Sequence, residues 1–195
     1  MLYNILTFIF RLVYSTVYPW KVEGSKHIPK EGPLIICSNH INWADPTVVG
    51  AMVTHKQVHF MAKGELFNYI ILGDIIKRLG AFPVKRDSAD LSTIKKALSL
   101  LKDGQFIGLF PEGTRSKTGR VGEALPGVAL IALKSRAPVL PVAIKGRYLP
   151  FQRLNVRVGA PISFPEHYGQ KARRELLAQM SSEIMAEIRR LHAEI

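Results

Sequence analysis

The chain has 195 residues, 47% of them hydrophobic and 22% charged, which suffices for one domain around a sizeable core and excludes intrinsic disorder. Cys37 is the single cysteine, so an intrachain disulfide and a cysteine-based zinc site are excluded. The formal net charge is +12, and residues 56–157 hold 18 Lys and Arg against 7 Asp and Glu. This distribution predicts an anionic partner: nucleic acid, an anionic membrane or a phosphorylated substrate.

Residues 1–20 are predicted to form an amphipathic helix that lies in a membrane interface, ahead of a single domain over residues 21–195. Apolar residues recur there at helical spacing, and an aromatic cluster follows them. A helix over residues 2–17 would be about 24 Å long, shorter than a ~30 Å hydrocarbon core, so one leaflet is favoured over a span. The alternative is a helix packed on the domain's own core. The residues predicted to contact lipid are Leu2, Ile5, Ile9, Leu12 and Trp20.

The rest of the chain alternates between predicted strands and helices. Strands are predicted at residues 34–38, 58–62, 80–84, 106–110, 139–144 and 154–158. Helices are predicted at residues 45–53, 66–79, 91–103, 126–135 and 177–191, with Asp45 as the first N-cap and Gly73 as a weak point of the second helix. The pattern indicates a single α/β domain with a mixed, largely parallel central sheet flanked by helices.

A histidine and an aspartate follow the first predicted strand in the segment Asn39-His40-Ile41-Asn42-Trp43-Ala44-Asp45. Across a turn, the Asp45 carboxylate can reach one imidazole nitrogen of His40, fix its tautomer and leave the other nitrogen as a general base. No Gly-x-Ser-x-Gly elbow supplies a nucleophilic serine, so the attacking hydroxyl is expected to belong to the substrate. The alternative is that Asp45 is only a helix cap and His40 is structural.

Three further segments lie in or directly after predicted strands, and two of them place polar or cationic residues at strand ends. Phe110-Pro111-Glu112-Gly113-Thr114-Arg115 brings a carboxylate, a guanidinium and a tight turn to the sheet edge where open α/β sheets bind ligands. Gly80–Arg86 ends in two cations, and an arginine there suits bidentate phosphate binding. Residues 137–144, with Pro141, read as a core strand with proline at its entry. Taken singly, each segment is also compatible with an ordinary surface turn or strand end.

Together, the order and position of these four segments resemble the four motif blocks of the glycerolipid acyltransferase family, over residues 20–165. The resemblance implies the family's α/β fold and acyl transfer from an acyl-carrier protein or coenzyme A thioester to a hydroxyl of a phosphorylated glycerol lipid. It implies His40 as base, Asp45 as its orienting partner and Arg86 as a phosphate ligand. It further implies substrate contacts by Lys63, Glu112, Gly113, Thr114, Arg115 and Pro141. Pro83 departs from the usual second block, so that strand is expected to end early.

The expected reaction is formation of phosphatidic acid from lysophosphatidate (1-acyl-sn-glycerol 3-phosphate) at the cytoplasmic face of the cell membrane, with peripheral or monotopic attachment. A thioester donor is already activated, so neither a metal nor a further cofactor is expected. Glycerol 3-phosphate or another lysolipid stays open as the acceptor. A thioesterase or phospholipase, with water as the acceptor, is a second alternative. Nucleic-acid binding is disfavoured, because the chain lacks a zinc finger, a clear recognition helix and basic strands interleaved with aromatic residues.

Overall fold

The computed structural model describes residues 2–84 and 91–195. Over that part of the chain, seven strands and six α-helices alternate. The strands are β1 (Trp20–Glu23), β2 (Leu34–Ser38), β3 (Val58–Lys63), β4 (Phe82–Val84), β5 (Phe106–Leu109), β6 (Val139–Gly146) and β7 (Leu154–Val158). The helices are α1 (Leu2–Thr16), α2 (Asp45–Met52), α3 (Ile70–Arg78), α4 (Leu91–Lys102), α5 (Gly127–Ser135) and α6 (Arg174–Ala193).

All seven strands belong to one sheet, in the order β1-β7-β6-β2-β5-β3-β4. Strands β2 to β6 run parallel to one another, whereas β7 pairs antiparallel with β6 and β1 pairs parallel with β7. The predicted fold class, a mixed and largely parallel α/β sheet, is therefore confirmed. The carboxyl ends of β2, β3, β4, β5 and β6 all lie at one edge of the sheet, which is called the carboxyl edge below.

The sheet is buried on both faces. One face packs against α4, α5 and α6, with Ile107, Ala129 and Ile184 among the core residues. The other packs against α1 and α2 through Ile36, Val48 and related side chains. Every residue of β2 is buried, as expected of a central strand in a parallel sheet covered by helices on both sides. The predicted bounds of β2 and β7 match the structure, and those of the other predicted strands differ by one or two residues.

Strand β1 was not predicted from the sequence. It has four residues, Trp20–Glu23, and alternates apolar with charged residues without the apolar run that marks the central strands. Its identity as a strand comes from parallel pairing with β7, more than 130 residues later in the chain, where Trp20 lies opposite Leu154. The division of the chain at residue 20 stays a prediction. In the structure α1 ends at Thr16 and Trp20 opens β1.

The helix predicted over residues 66–79 is divided in the structure. A 3-10 helix, Gly64–Asn68, precedes α3, and Tyr69 between them has extended backbone angles, φ −78° and ψ 121°. The break therefore comes at Tyr69, and the expectation that Gly73 is the weak point was wrong. Gly73 is the residue on which the two helices pack, because a Cβ there would lie 2.5 Å from the carbonyl oxygen of Phe67.

Helix α1 lies against α2 and exposes part of its apolar surface. Tyr14 is buried on the domain side, and its hydroxyl lies 2.6 Å from the Thr47 hydroxyl at the start of α2. The side chains of Ile5, Ile9 and Leu12 are 47%, 45% and 55% exposed. None of the helices within residues 2–84 and 91–195 combines the length and apolar character needed to cross a bilayer.

Candidate active site

His40 and Asp45 lie within hydrogen-bonding distance at the carboxyl end of β2. His40 Nδ1 is 2.7 Å from Asp45 Oδ2, and the Asp45 side chain has no solvent exposure. A carboxylate only accepts hydrogen bonds, so Nδ1 carries the proton in this pair. In the neutral imidazole this leaves Nε2 with its lone pair, and the His40 side chain is 14% exposed. The arrangement can therefore accept a proton at Nε2 from a bound hydroxyl group.

Asp45 is held by more donors than a helix cap needs. Oδ2 also accepts the backbone N–H groups of Ile41 at 2.7 Å and Asn42 at 2.8 Å, and Oδ1 accepts the hydroxyl of Tyr148 at 2.5 Å. Ala44 occupies the N-cap position and Asp45 the first turn of α2, so the prediction of Asp45 as the N-cap was wrong. The carboxylate turns back to the loop before the helix, next to the positive end of the helix dipole.

The turn that carries His40 depends on Asn39, which is fully buried. Its side-chain amide donates to the carbonyl of Ile144 at 2.9 Å, and its side-chain carbonyl accepts the N–H of Ile144 at 2.8 Å. Backbone pairing between β2 and β6 ends one residue earlier, with Ser38 opposite Val142. The Asn39 side chain thus continues the hydrogen bonding of the ladder while the backbone leaves the sheet toward His40.

Aromatic rings from two other strands support the His40 imidazole. Phe110 stacks on it with 4.1 Å between ring centroids, and Phe60 stacks on Phe110 at 6.2 Å. Gly108 makes room for Phe60, because a Cβ there would lie 2.1 Å from the ring. Phe60 belongs to β3, Gly108 belongs to β5, and Phe110 directly follows β5. The position of the imidazole therefore depends on packing between neighbouring strands.

Glu112 joins the site from the loop after β5. Its Oε1 accepts the backbone N–H of His40 at 3.1 Å, and Ser116 N–H donates to the His40 carbonyl at 2.7 Å. Burial raises the pKa of Glu112, and backbone hydrogen bonds from His40 and Gly122 oppose that shift. Gly113 closes the turn at φ +69°, where an added Cβ would lie 2.5 Å from Leu125. Glycine is therefore favoured at this position, because other residues rarely adopt this backbone conformation.

Four of the other predicted substrate-binding residues are described by the structure, and they do not join this cluster. Lys63 ends β3 and pairs with Glu65 at 3.0 Å. Thr114 and Arg115 are exposed on the loop after Gly113. Pro141 is buried within β6, where its Cγ lies 3.0 Å from the point a Cβ on Gly159 would occupy. Arg86, the predicted phosphate ligand, lies outside the described residues.

The predicted lipid-contacting residues divide between two environments. Ile5, Ile9 and Leu12 lie on the exposed side of α1, and Leu2 is half-buried at its start. Trp20 is half-buried on β1, with its ring 5.4 Å from that of Tyr14. The described residues include no group of three His, Cys, Asp or Glu side chains arranged to hold a metal ion.

Sequence reasoning missed the supports of the His40–Asp45 pair. Tyr148 lies 103 positions after Asp45, and Phe60 lies 20 positions after His40, in different strands or connections. None of them carries a local motif, so only the order of the strands brings them together. A glycine in the middle of an apolar strand, Gly108, was the one available signal, because such a residue often marks a close approach of another group.

Comparison with known proteins identifies the protein family to which this fold and site belong. A family model described as Acyltransferase matches residues 19–145, which include His40, Asp45 and Glu112. The chain belongs to this acyltransferase family.

Within this family, the chain is similar to several enzymes that carry the same name. The chain is 30% identical over 183 residues to the 1-acyl-sn-glycerol-3-phosphate acyltransferase of Bacillus subtilis, covering 90% of this chain and 89% of the relative. It is 30% identical over 188 residues to the enzyme of the same name from Streptococcus pneumoniae, covering 90% and 69%. The crystal structure of the 1-acyl-sn-glycerophosphate acyltransferase PlsC from Thermotoga maritima matches with a TM-score of 0.79 and 26% identity, over 98% of this chain and 78% of that one.

Proposed function

We propose that this acyltransferase transfers a fatty acyl group from a thioester to the free hydroxyl of 1-acyl-sn-glycerol 3-phosphate, forming phosphatidic acid. The observation that carries the proposal is the His40–Asp45 pair, with Nδ1 2.7 Å from a fully buried carboxylate, in a chain whose named relatives are enzymes for this acceptor. The acyl donor is an acyl-carrier protein or coenzyme A thioester.

In the proposed mechanism, Nε2 of His40 removes the proton of the acceptor hydroxyl as its oxygen attacks the thioester carbonyl. The C–O bond forms, the carbonyl oxygen becomes negative, and Asp45 stabilises the resulting imidazolium through Nδ1–H. When the tetrahedral intermediate collapses, the C–S bond breaks and the imidazolium returns its proton to the leaving thiolate. No acyl-enzyme is formed, because the attacking oxygen belongs to the acceptor.

In this proposal, cations among residues 56–157 bind the phosphate group of the acceptor. Lys63 ends β3 at the carboxyl edge, the same edge as His40, and Arg86 follows β4 two residues after that strand ends. A charge-assisted bond to phosphate is typically worth about 1.5–3 kcal/mol. Holding the phosphate there would also orient the glycerol hydroxyl toward Nε2. Helix α1 is proposed to attach the enzyme to the membrane through Ile5, Ile9 and Leu12.

The test is an acyl-transfer assay with labelled acyl-carrier protein and acyl-CoA donors in detergent micelles. The acceptors are lysophosphatidate, glycerol 3-phosphate, an uncharged monoacylglycerol, and water alone, and the products are identified by mass. We expect phosphatidic acid as the main product and its loss in folded His40→Ala. Release of free fatty acid at the same rate without an acceptor would instead identify a hydrolase.

The monoacylglycerol arm tests the phosphate contact. Arg86→Ala should lower turnover of lysophosphatidate by roughly tenfold to a hundredfold and leave turnover of monoacylglycerol nearly unchanged. Arg86→Lys should recover part of the loss, because lysine keeps the charge without the planar fork. An equal fall for both acceptors would make Arg86 a structural residue.

A further inference from the structure

Large apolar side chains are exposed in only two places within the described part of the chain. One is α1, through Ile5 and its neighbours. All the others lie in the connections that leave the carboxyl ends of β2 to β6. Within the described part of the chain, the loops at the opposite edge of the sheet and residues 159–195 expose no large apolar side chain. Scattered exposure is normal for a soluble protein, whereas confinement to one side marks an interaction surface.

Six of the exposed residues in the connections after β2, β3 and β6 are here called the apolar rim. It consists of Trp43, Leu66, Tyr69, Ile70, Ile71 and Phe151, with exposures of 75%, 37%, 62%, 92%, 76% and 80%. Phe151 follows β6, Trp43 follows β2 and the remaining four follow β3. Because β6 adjoins β2 and only β5 separates β2 from β3, these connections flank His40 on both sides.

The segment that follows β3 is built to present its apolar side outward. Helix α3 has apolar residues at five of its nine positions, yet Gly73 is its single buried residue. Its first two residues, Ile70 and Ile71, are among the most exposed side chains of the rim. An amphipathic helix normally buries its apolar stripe on the domain, as α6 does with seven buried residues. The apolar side of α3 therefore lacks a partner within the described structure.

Cations and aromatic residues accompany the rim. Lys77 and Arg78 form the last turn of α3, and the connection from Arg147 to Arg153 holds two exposed arginines and no acidic residue. Phe151, between those arginines, has a left-handed backbone at φ +62°, and its N–H donates to the carbonyl of Val17 just after α1 at 2.6 Å. That bond fixes the loop that carries an exposed phenylalanine to the end of α1.

We propose that the apolar rim docks on an anionic lipid surface, so that the carboxyl edge of the sheet, with His40, faces the bilayer. Apolar side chains enter the acyl boundary, Trp43 and Tyr69 suit the headgroup level, and the cations contact anionic headgroups. A second copy of the chain is a poorer partner, because a two-fold contact through the rim would bring cations of the same sign together. The proposal adds a second contact to that of α1 and rests on the proposed function only for the lipid nature of the substrate.

The first experiment measures co-sedimentation of the full chain with phosphatidylglycerol vesicles and with phosphatidylcholine vesicles, without acyl donor or acceptor. Ile70→Ser/Ile71→Ser should weaken binding to both vesicle types by about tenfold or more, because two isoleucine side chains no longer leave water. Its circular dichroism and melting temperature should match those of the wild type. Wild-type affinity in this folded variant would overturn the proposal.

A charge-matched pair supplies the second measurement. Lys77→Glu/Arg78→Glu at the rim and Lys171→Glu/Arg173→Glu, at exposed positions after β7, change the net charge equally. Only the first should weaken binding to phosphatidylglycerol vesicles strongly. Equal loss in both variants would reduce the effect to net charge and would contradict a docking surface at the rim.

Two further outcomes distinguish lipid docking from self-association and from the proposed function. A lipid-free dimer that Ile70→Ser/Ile71→Ser dissociates would make the rim a self-association surface and overturn lipid docking. Failure of the wild type to form phosphatidic acid in detergent, with vesicle binding intact and dependent on the rim, would refute the proposed function and leave the docking surface standing.

Discussion

Two regions at the same edge of the sheet reverse the usual distribution of polar and apolar groups. The polar centre of the site, formed by Asn39, His40, Asp45 and Tyr148, buries a carboxylate and an amide completely. The apolar rim, which flanks that centre, exposes Ile70 by 92%. Either reversal is unfavourable by itself, since a buried charge loses hydration and an exposed isoleucine orders water.

The two regions differ in whether the protein itself compensates the unfavourable arrangement. Both oxygens of Asp45 have donors, and both polar atoms of the Asn39 amide are bonded to Ile144. The buried polar groups of Asn39 and Asp45 therefore have hydrogen-bond partners within the protein itself, and these partners explain why the groups can be buried. The apolar side of α3 has no such internal partner among the described residues, and the partner proposed for it is a lipid surface. The predictions below test this difference from the largest expected effect to the smallest.

Asp45→Asn should produce the largest loss, on the order of a thousandfold to ten-thousandfold in kcat, by analogy with the acid of a Ser-His-Asp triad. The amide is neutral and has an NH2 donor in place of one carboxylate oxygen, so it cannot satisfy all the donors around both oxygens of Asp45, and the imidazole loses both its fixed tautomer and the charge that stabilises imidazolium. The measurement is acyl transfer to lysophosphatidate by the folded variant. Asp74→Asn, the same chemical change at an exposed position on α3, is the control. Near-wild-type kcat for Asp45→Asn would remove His40 and Asp45 from the mechanism.

Asn39→Ala should lower the free energy of unfolding by about 2–5 kcal/mol, because it leaves the N–H and carbonyl of Ile144 buried without their partners. Denaturant titration measures the loss. Asn155→Ala, at a half-buried position on β7, should stay within about 0.5 kcal/mol of the wild type. Equal losses in the two variants would show that the Asn39 side chain does not serve as the continuation of the ladder between β2 and β6.

The sequence predicted the parts of the site that are adjacent in the chain. His40 and Asp45 are five residues apart after an apolar strand, and Glu112 follows another such strand, so the shared carboxyl edge brings them together. The contact through Tyr148 could not be predicted, because it depends on how the connection after β6 folds over α2. The stacking of Phe60, Phe110 and His40 likewise follows from the order β2-β5-β3, which no local pattern specifies.

The same distinction holds for the fold. The central strands were predicted because burial on both faces requires continuous apolar runs. Strand β1 was missed because its hydrogen bonds to β7 define it, and its four residues carry no such run. The apolar period of residues 66–79 was correctly assigned to helical structure, but periodicity does not tell whether the apolar side is buried in a core or exposed at the surface. That difference separates α6 from α3.

Tyr148→Phe should lower the free energy of unfolding by roughly 1.5–3 kcal/mol, since its hydroxyl donates to a charged carboxylate at 2.5 Å. Burial raises the pKa of Tyr148, and the neighbouring Asp45 charge adds to the shift, so the hydroxyl remains a donor at neutral pH. We expect kcat to fall with little change in KM, together with a displaced pH profile, because Oδ1 of Asp45 loses its partner.

Tyr14→Phe is the matched control for Tyr148→Phe. The Thr47 hydroxyl donates to the carbonyl of Ala44 at 2.7 Å, so Tyr14 is the donor in its 2.6 Å contact with Thr47, and both partners are neutral. Its loss should amount to about 0.5–1.5 kcal/mol, with kcat unchanged. An unchanged pH profile in Tyr148→Phe, or the same kinetic change in both variants, would reduce Tyr148 to a structural residue.

The smallest expected effect on stability belongs to the apolar rim. Ile70 and Ile71 are nearly as exposed in the folded protein as in the unfolded chain, and serine has a helix propensity close to that of isoleucine. Ile70→Ser/Ile71→Ser should therefore change the free energy of unfolding by less than about 0.5 kcal/mol per site. Ile184→Ser/Ile188→Ser makes the same exchange at two fully buried positions of α6, where a shortened isoleucine typically costs about 2–5 kcal/mol per site. Denaturant titration of the two double variants under identical conditions measures both changes.

A large destabilisation of the α3 variant would show that this helix packs on the domain. The contrast between a polar centre whose partners lie within the protein and a rim whose proposed partner lies outside it would then fail. A small one, with vesicle binding reduced, leaves the lipid surface as the partner of Ile70 and Ile71.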